Sequence, residues 1–273
     1  MRITALVENT TASAMFGSEH GLSILIRTED AVLLFDTGCG GLFLENADKL
    51  GMDLAEVTHL ILSHGHYDHG GGIPAFLVNN SRAKVYLRKE ALDPSYAIRT
   101  HDEVEYIGLP LELAGNSRLY FTHDRMEIAP GVTLYSDIPA REPIPETNHD
   151  LMMKQEGVML PDTFPHEQVA EIREGDRILL LTGCSHHGIR NILWHYQERS
   201  GRIPDLIIGG FHLHSHRFGR AQDDEIRRTA EALAGTGALV YTCHCTGLPA
   251  YEELKKSLGE QICYLSGGRT IEF

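Results

Sequence analysis

The sequence predicts an α/β fold in which two strand-rich halves pack together beneath outer helices. Two observations carry this expectation. Apolar segments of strand length, joined by short turns, recur in the first and last thirds of the 273-residue chain. Segments of helical periodicity separate them, the pattern of a layered fold in which each sheet buries one face on its partner and the other under helices. A third observation gives the fold a working edge, because the clusters of His, Cys and Asp fall just past the ends of those apolar segments.

Residues 22–27 and 31–36 read as strands joined by the turn Thr28-Glu29-Asp30. Phe43, Ala47 and Leu50 then recur at i, i+4 and i+7, predicting a helix that Gly51 stops. His59-Leu60-Ile61-Leu62 is a short strand leading into Ser63-His64-Gly65-His66-Tyr67-Asp68-His69-Gly70-Gly71-Gly72. Residues 93–166 hold His101, His123, His149 and His166 and several prolines, with little periodicity. This stretch is expected to be a lid or insertion. Residues 168–173 and 177–182 flank Glu174-Gly175-Asp176 and end at Gly183-Cys184-Ser185-His186. A helix over 189–199 follows, then a strand over 205–208 leading to Gly209-Gly210-Phe211-His212. Ile226, Ala230 and Leu233 share a helical face, residues 238–242 carry the chain to His244, and Pro249 opens a last helix closed by Gly259.

Composition narrows the function. With 42% hydrophobic residues the chain can bury one large core. A net charge of −14 argues against nucleic acid as a partner, since phosphate backbones are held by clustered Lys and Arg. Five cysteines, Cys39, Cys184, Cys243, Cys245 and Cys263, lack the spacing of a disulfide framework and suit a reducing compartment. The N-terminal apolar stretch is short and interrupted by Glu8, and no run approaches membrane-spanning length. The expectation is a cytoplasmic protein with a small-molecule substrate, no membrane association, and an oligomeric state left open.

The loop at residues 63–72 is the chemical centre of the chain. Imidazole and carboxylate hold zinc-like divalent ions in positions open to water. An extended backbone would turn His64 and His66 to one side, repeat that spacing at Asp68 and point His69 the other way, giving two clusters for two adjacent ions. Asp36 is expected to orient a metal-bound imidazole through its other nitrogen. Cys243 and Cys245 flank His244 and are expected to point away from it as small buried hydrophobes.

The His-x-His-x-Asp-His pattern resembles the second motif of the metallo-β-lactamase superfamily. Val32-Leu33-Leu34-Phe35-Asp36-Thr37-Gly38 looks like its first motif, and the segments around Gly183-Cys184-Ser185-His186 and His244-Cys245-Thr246-Gly247 look like its later ligand-bearing strand ends. The resemblance implies one domain over residues 1–273, built as a four-layer αββα sandwich. It implies His64, His66, Asp68, His69, His186 and His244 as ligands to two divalent ions, zinc first, with manganese or iron(II) as alternatives. Cys184 stands where other members carry a bridging aspartate and is the less secure ligand from its strand end.

Together these residues predict a metal-dependent hydrolase that directs a metal-activated water at an ester, phosphoester or related small molecule. Asp68 would both bind metal and orient the nucleophile, and His212 would protonate the leaving group or contact substrate. His20 is a candidate substrate contact, whereas His59, His195, His214 and His216 read as ordinary residues. A narrower similarity, adding Glu19-His20-Gly21-Leu22-Ser23 and Gly209-Gly210-Phe211-His212, points to one subgroup. Its archaeal members are called 7,8-dihydropterin-6-methyl-4-(β-D-ribofuranosyl)aminobenzene 5′-phosphate synthase and its bacterial members metal-dependent hydrolases. A synthase-like transferase is therefore the alternative activity, and a non-catalytic metal-binding or regulatory protein the alternative of another class.

Overall fold

The computed structural model describes residues 1–273. Two seven-stranded sheets form its centre. In spatial order the first runs Thr270–Glu272, Arg2–Val7, Ser23–Arg27, Val32–Phe35, His59–Ile61, Lys84–Arg88 and Leu119–Thr122. The second runs Ile262–Tyr264, Leu239–Thr242, Leu206–Gly209, Arg177–Leu181, Val169–Glu174, Val132–Tyr135 and Arg125–Ala129.

Period-two alternation explains the layers. Leu33 and Phe35 face the space between the sheets with Leu179, Leu181, Leu206 and Ile208, while Leu34 turns outward. Leu180 and Ile207 likewise face outward, under helices Ile189–Ser200, Asp223–Thr236 and Leu248–Leu258. Helices Leu42–Lys49 and Ile73–Asn79 cover the other outer face. Strands buried on both faces need unbroken apolar runs. The result is the α-β-β-α layering. Helices 189–200 and 223–236 stop at Gly201 and Gly237, whose φ of 70° and 68° lie in the left-handed region that glycine occupies at low cost. No helix is long and apolar enough to cross a membrane.

Residues 93–166 divide between two roles. Leu119–Thr122 and Arg125–Ala129 are edge strands of the main sheets and Val132–Tyr135 lies next to the latter, so part of this stretch belongs to the sandwich itself. The remainder makes a four-stranded sheet, ordered Val158–Pro161, Leu151–Gln155, Ser95–Ile98 and Val104–Tyr106, beside the functional edge. The short strands, broken by prolines and turns, carry too few residues to reveal a period.

Val32–Phe35 and His59–Ile61 run parallel, as do Arg177–Leu181, Leu206–Gly209 and Leu239–Thr242. Their C-terminal ends deliver Asp36, His64, Cys184, His212 and His244 toward a common region. The backbone there is constrained, with φ of 59° at Asp36, 58° at Ser185, 46° at His212 and 51° at His244. Non-glycine residues hold such values only where surrounding structure enforces them.

Candidate metal centre

His66 lies on extended backbone and caps a short helix, Tyr67–Gly70, that contains Asp68 and His69. The alternation expected along the whole loop therefore ends at His66. Asp68 and His69 instead leave one helical turn on adjacent bearings. Gly71 and Gly72 permit this crowding, since a Cβ on Gly71 would lie 2.3 Å from Cys39 O and one on Gly72 would lie 2.5 Å from Thr37 O.

The candidate ligands form two neighbouring groups. The ligand atoms of His64, His66 and His186 all lie within 4.8 Å of one another. His69 Nε2 is 3.1 Å from His244 Nε2, while Asp68 Oδ2 is 3.3 Å from His244 Nε2 and 3.7 Å from His69 Nε2. Cys184 lies against both: its Sγ is 3.2 Å from His69 Nε2, and it groups with His64 and His69 on one side and with His186 and His212 on another.

Hydrogen bonds fix the tautomers. A carboxylate only accepts, so His69 Nδ1 donates to Asp36 Oδ2 at 2.6 Å. Ser63 Oγ donates its proton to Asp36 at 2.7 Å and thus accepts from His64 Nδ1 at 2.8 Å. Asn148 uses its amide N–H on His186 O, which leaves Oδ1 to accept from His186 Nδ1 at 2.8 Å. Asn9 Oδ1 accepts from His244 Nδ1 at 2.8 Å. Each neutral ring then presents a lone pair at Nε2. His64 Nε2 faces His186 Nε2 at 3.3 Å, His69 Nε2 faces His244 Nε2 at 3.1 Å, and His66 Nε2 is buried with no partner.

Converging lone pairs repel unless a proton or cation lies among them. Burial, with neighbouring rings, lowers the pKa of His64 and His186 well below the ordinary value, and that of His66 to about 3. At His69 burial is outweighed by Asp36 and Asp68, which raise it to about 9, so without a cation a proton on Nε2 separates it from the His244 lone pair, in the place a metal ion would take. Asp68 stays ionised because His69, His20 and His244 overcome the cost of burial. One carboxylate, neutral imidazoles and a thiol make a donor set suited to zinc-like ions, and the residues present fit the two metals expected.

Outer contacts hold this set. Glu167 Oε1 accepts from His186 N–H at 2.6 Å, and Phe164 stacks on the His186 ring at 4.4 Å. Glu8 Oε1 accepts from His244 N–H at 2.6 Å and from Tyr264 Oη at 2.7 Å. His20 Nε2 lies 3.2 Å from Asp68 Oδ2. None of Glu8, Asn9, Asn148 or Glu167 stands in a recognisable motif. Glu8 and Asn9 follow the first strand, and their position after an apolar run was the available signal.

Beyond these groups lies a cleft bordered by Arg99, Asp150 and Ser215 as well as by His66, Asp68, Cys184, His186 and His244. His212 lines it with both ring nitrogens buried and unpartnered, its ring 4.3 Å from that of His186. His214 and His216, read as ordinary from sequence, also line the cleft, because His214–Ser215 and Gly219–Arg220 pair as a small hairpin that folds back over the edge. His59 and His195 do not reach the cleft.

The paired reading of Cys243 and Cys245 also changes. The strand ends at Thr242 and His244–Thr246 is a helical turn, so the two sulfurs do not share a side. Cys243 enters the core between the sheets, whereas Cys245 faces the cleft. Burial opposes charge on Cys245, but Cys184, His212 and His244 together hold its thiol below the ordinary value.

The family model of the metallo-beta-lactamase superfamily matches residues 17–228. The chain is 34% identical to Tm1679, a metal-dependent hydrolase of the beta-lactamase superfamily, over all of this chain and 99% of that one, with a TM-score of 0.84. It is 27% identical over 296 residues to a protein of Methanocaldococcus jannaschii named 7,8-dihydropterin-6-methyl-4-(beta-D-ribofuranosyl)-aminobenzene-5'-phosphate synthase, covering 100% of this chain and 97% of the relative. The structure of Zn(2+)-bound PqqB from Methylobacterium extorquens shares the fold, with a TM-score of 0.59 at 12% identity over both whole chains.

Proposed function

Since the chain belongs to the metallo-β-lactamase superfamily, we propose that it is a cytoplasmic metal-dependent hydrolase of a small-molecule ester or phosphoester. His64, His66 and His186 hold one divalent ion, and Asp68, His69 and His244 a second. Zinc is preferred, with manganese or iron(II) as alternatives. The observation that carries this reading is the pair of facing imidazoles, His64 with His186 and His69 with His244, whose Nδ1 atoms are all engaged elsewhere.

Two bound ions supply an acidified water and polarise the oxygen of the bond being broken. The chain's own residues do the rest. Asp68 keeps its charge and offers a carboxylate oxygen to the nucleophile's proton, while His20 fixes the carboxylate's rotation. Cys184, where other members carry aspartate, lies against both groups and would be available as a shared ligand. His212, unpartnered on the cleft wall, delivers a proton to the departing oxygen. The net charge of −14 favours a small molecule over nucleic acid.

The test is turnover of phosphomonoester, phosphodiester, carboxylic ester and thioester substrates by protein loaded with zinc, manganese or iron(II). Turnover of at least one class, abolished by a chelator and restored by metal, is expected. Metal-loaded protein inert toward every class would reject the hydrolase and leave a non-catalytic metal-binding protein. The full-length match to the named synthase supports transfer as a second reading. Condensation of a dihydropterin with a ribofuranosyl-aminobenzene phosphate, without ester hydrolysis, would select it.

A further inference from the structure

Cys245 has no task in that mechanism, yet it borders the cleft beside Cys184. The ligand atoms of Cys184, His244 and Cys245 all lie within 4.8 Å of one another, and Cys245 Sγ donates to Cys184 O at 3.5 Å. The two residues follow strands separated by Leu206–Gly209 in the sheet, so their loops meet across the end of that middle strand. Gly210 makes room for the meeting, since a Cβ there would lie 2.4 Å from Cys245 Sγ. His212 N–H donates to the same sulfur at 3.3 Å.

We infer that Cys184 and Cys245 form a reversible oxidation site, closed to a disulfide by hydrogen peroxide. The Cys245 thiol gives up its proton and its sulfur attacks one peroxide oxygen; the O–O bond breaks, a sulfenic acid forms, and the departing hydroxide takes up that proton as water. The Cys184 thiol then attacks the Cys245 sulfur, the S–O bond breaks and a second water leaves. The balance is two thiols and one peroxide to one disulfide and two waters. Both sulfurs border the cleft, which gives peroxide its route, although each residue is nearly buried. The two sulfurs start within 4.8 Å of one another, and closure brings them to a bond of about 2 Å. Cys243, turned into the core, is the internal control.

The consequence rests on the proposed role of Cys184 as a shared ligand: oxidation removes it from the metal centre, and bound metal protects it. The experiment treats the full chain, zinc-loaded and chelator-stripped, with hydrogen peroxide, alkylates free thiols, and maps peptides by mass spectrometry. A Cys184–Cys245 cross-linked peptide is expected, forming faster in stripped protein and reversed by dithiothreitol. Cys245→Ser should abolish it, and should that variant not fold, the wild-type peptide map decides. Oxidised stripped protein should lose zinc uptake and regain it on reduction. Sulfinic or sulfonic acid at either cysteine without the cross-link, or a cross-link between other cysteines, would overturn the inference. A cross-link that leaves zinc uptake intact would uphold the oxidation site and remove Cys184 from the proposed ligands.

Discussion

The Oδ2 atom of Asp36 lies 2.6 Å from Nδ1 of His69, with both side chains fully sequestered from solvent. The same carboxylate accepts from the Ser63 backbone and hydroxyl at 2.7 Å each, and Ser63 in turn orients His64. One buried aspartate therefore sets a ring in each of the two proposed ligand groups. Asp36→Ala should weaken zinc binding by about 10–100-fold, the usual effect of removing a ligand's outer partner. Chelator competition measures it. Wild-type affinity in the variant would show that the rings need no such hold.

Gly183 approaches the same network from the second sheet. A Cβ there would lie 2.2 Å from Ser63 Oγ and 3.1 Å from His64 Nδ1. Ser63 cannot give way without leaving Asp36. Gly183→Ala should thus destabilise the fold by about 1–3 kcal/mol, as overpacking does, and lower zinc content. Chemical denaturation with metal analysis tests both effects.

A His212 variant distinguishes proton transfer from metal binding. His212→Ala should retain both metals and lose about 10²–10⁴-fold in rate, most severely for poor leaving groups. Mass spectrometry of metal content beside a leaving-group series decides the matter. Stoichiometric metal loss would make it a ligand, as its proximity to Cys184 and His186 allows, and unchanged kinetics would make it a bystander.

Asp162 supplies a pH-dependent contribution behind the proposed ligand His66, whose ring packs 5.3 Å from that of His166. Burial works against its charge, but His166, His66 and the Phe164 N–H outweigh that, leaving its pKa below the usual value. Because the folded value is the lower one, the stabilisation is complete above the unfolded value of about 3.9 and is lost as pH falls through the folded value. Asp162→Ala should cost about 1–3 kcal/mol at neutral pH through the donors left unpaired. The gap from wild type should narrow below pH ~4. Urea denaturation at several pH values tests this, and a constant gap would contradict it.

Much of this arrangement was legible because the chain states it locally. Unbroken apolar runs such as Leu179-Leu180-Leu181 announce strands buried on both faces, and the residues that follow them land on one edge. The loop His64 to His69 showed its density of His and Asp in the sequence, although not its shape, because nothing in an extended pattern signals that His66 caps a helical turn. Asn148 and Glu167, which orient His186 and its backbone, come from stretches without strong periodicity and are joined to it only by the tertiary fold. His214, His216 and Cys245 escaped for a related reason: their directions are set by a hairpin and a helical turn just past strand ends, where period-two reasoning stops.

The central claim is that two metal ions lie in two defined places. Anomalous diffraction at the zinc edge from zinc-loaded crystals tests it most directly. The account predicts two peaks, one bounded by His64, His66 and His186 and the other by Asp68, His69 and His244, with Cys184 in reach of both. A single peak remote from His244, or two peaks outside these residues, would contradict it.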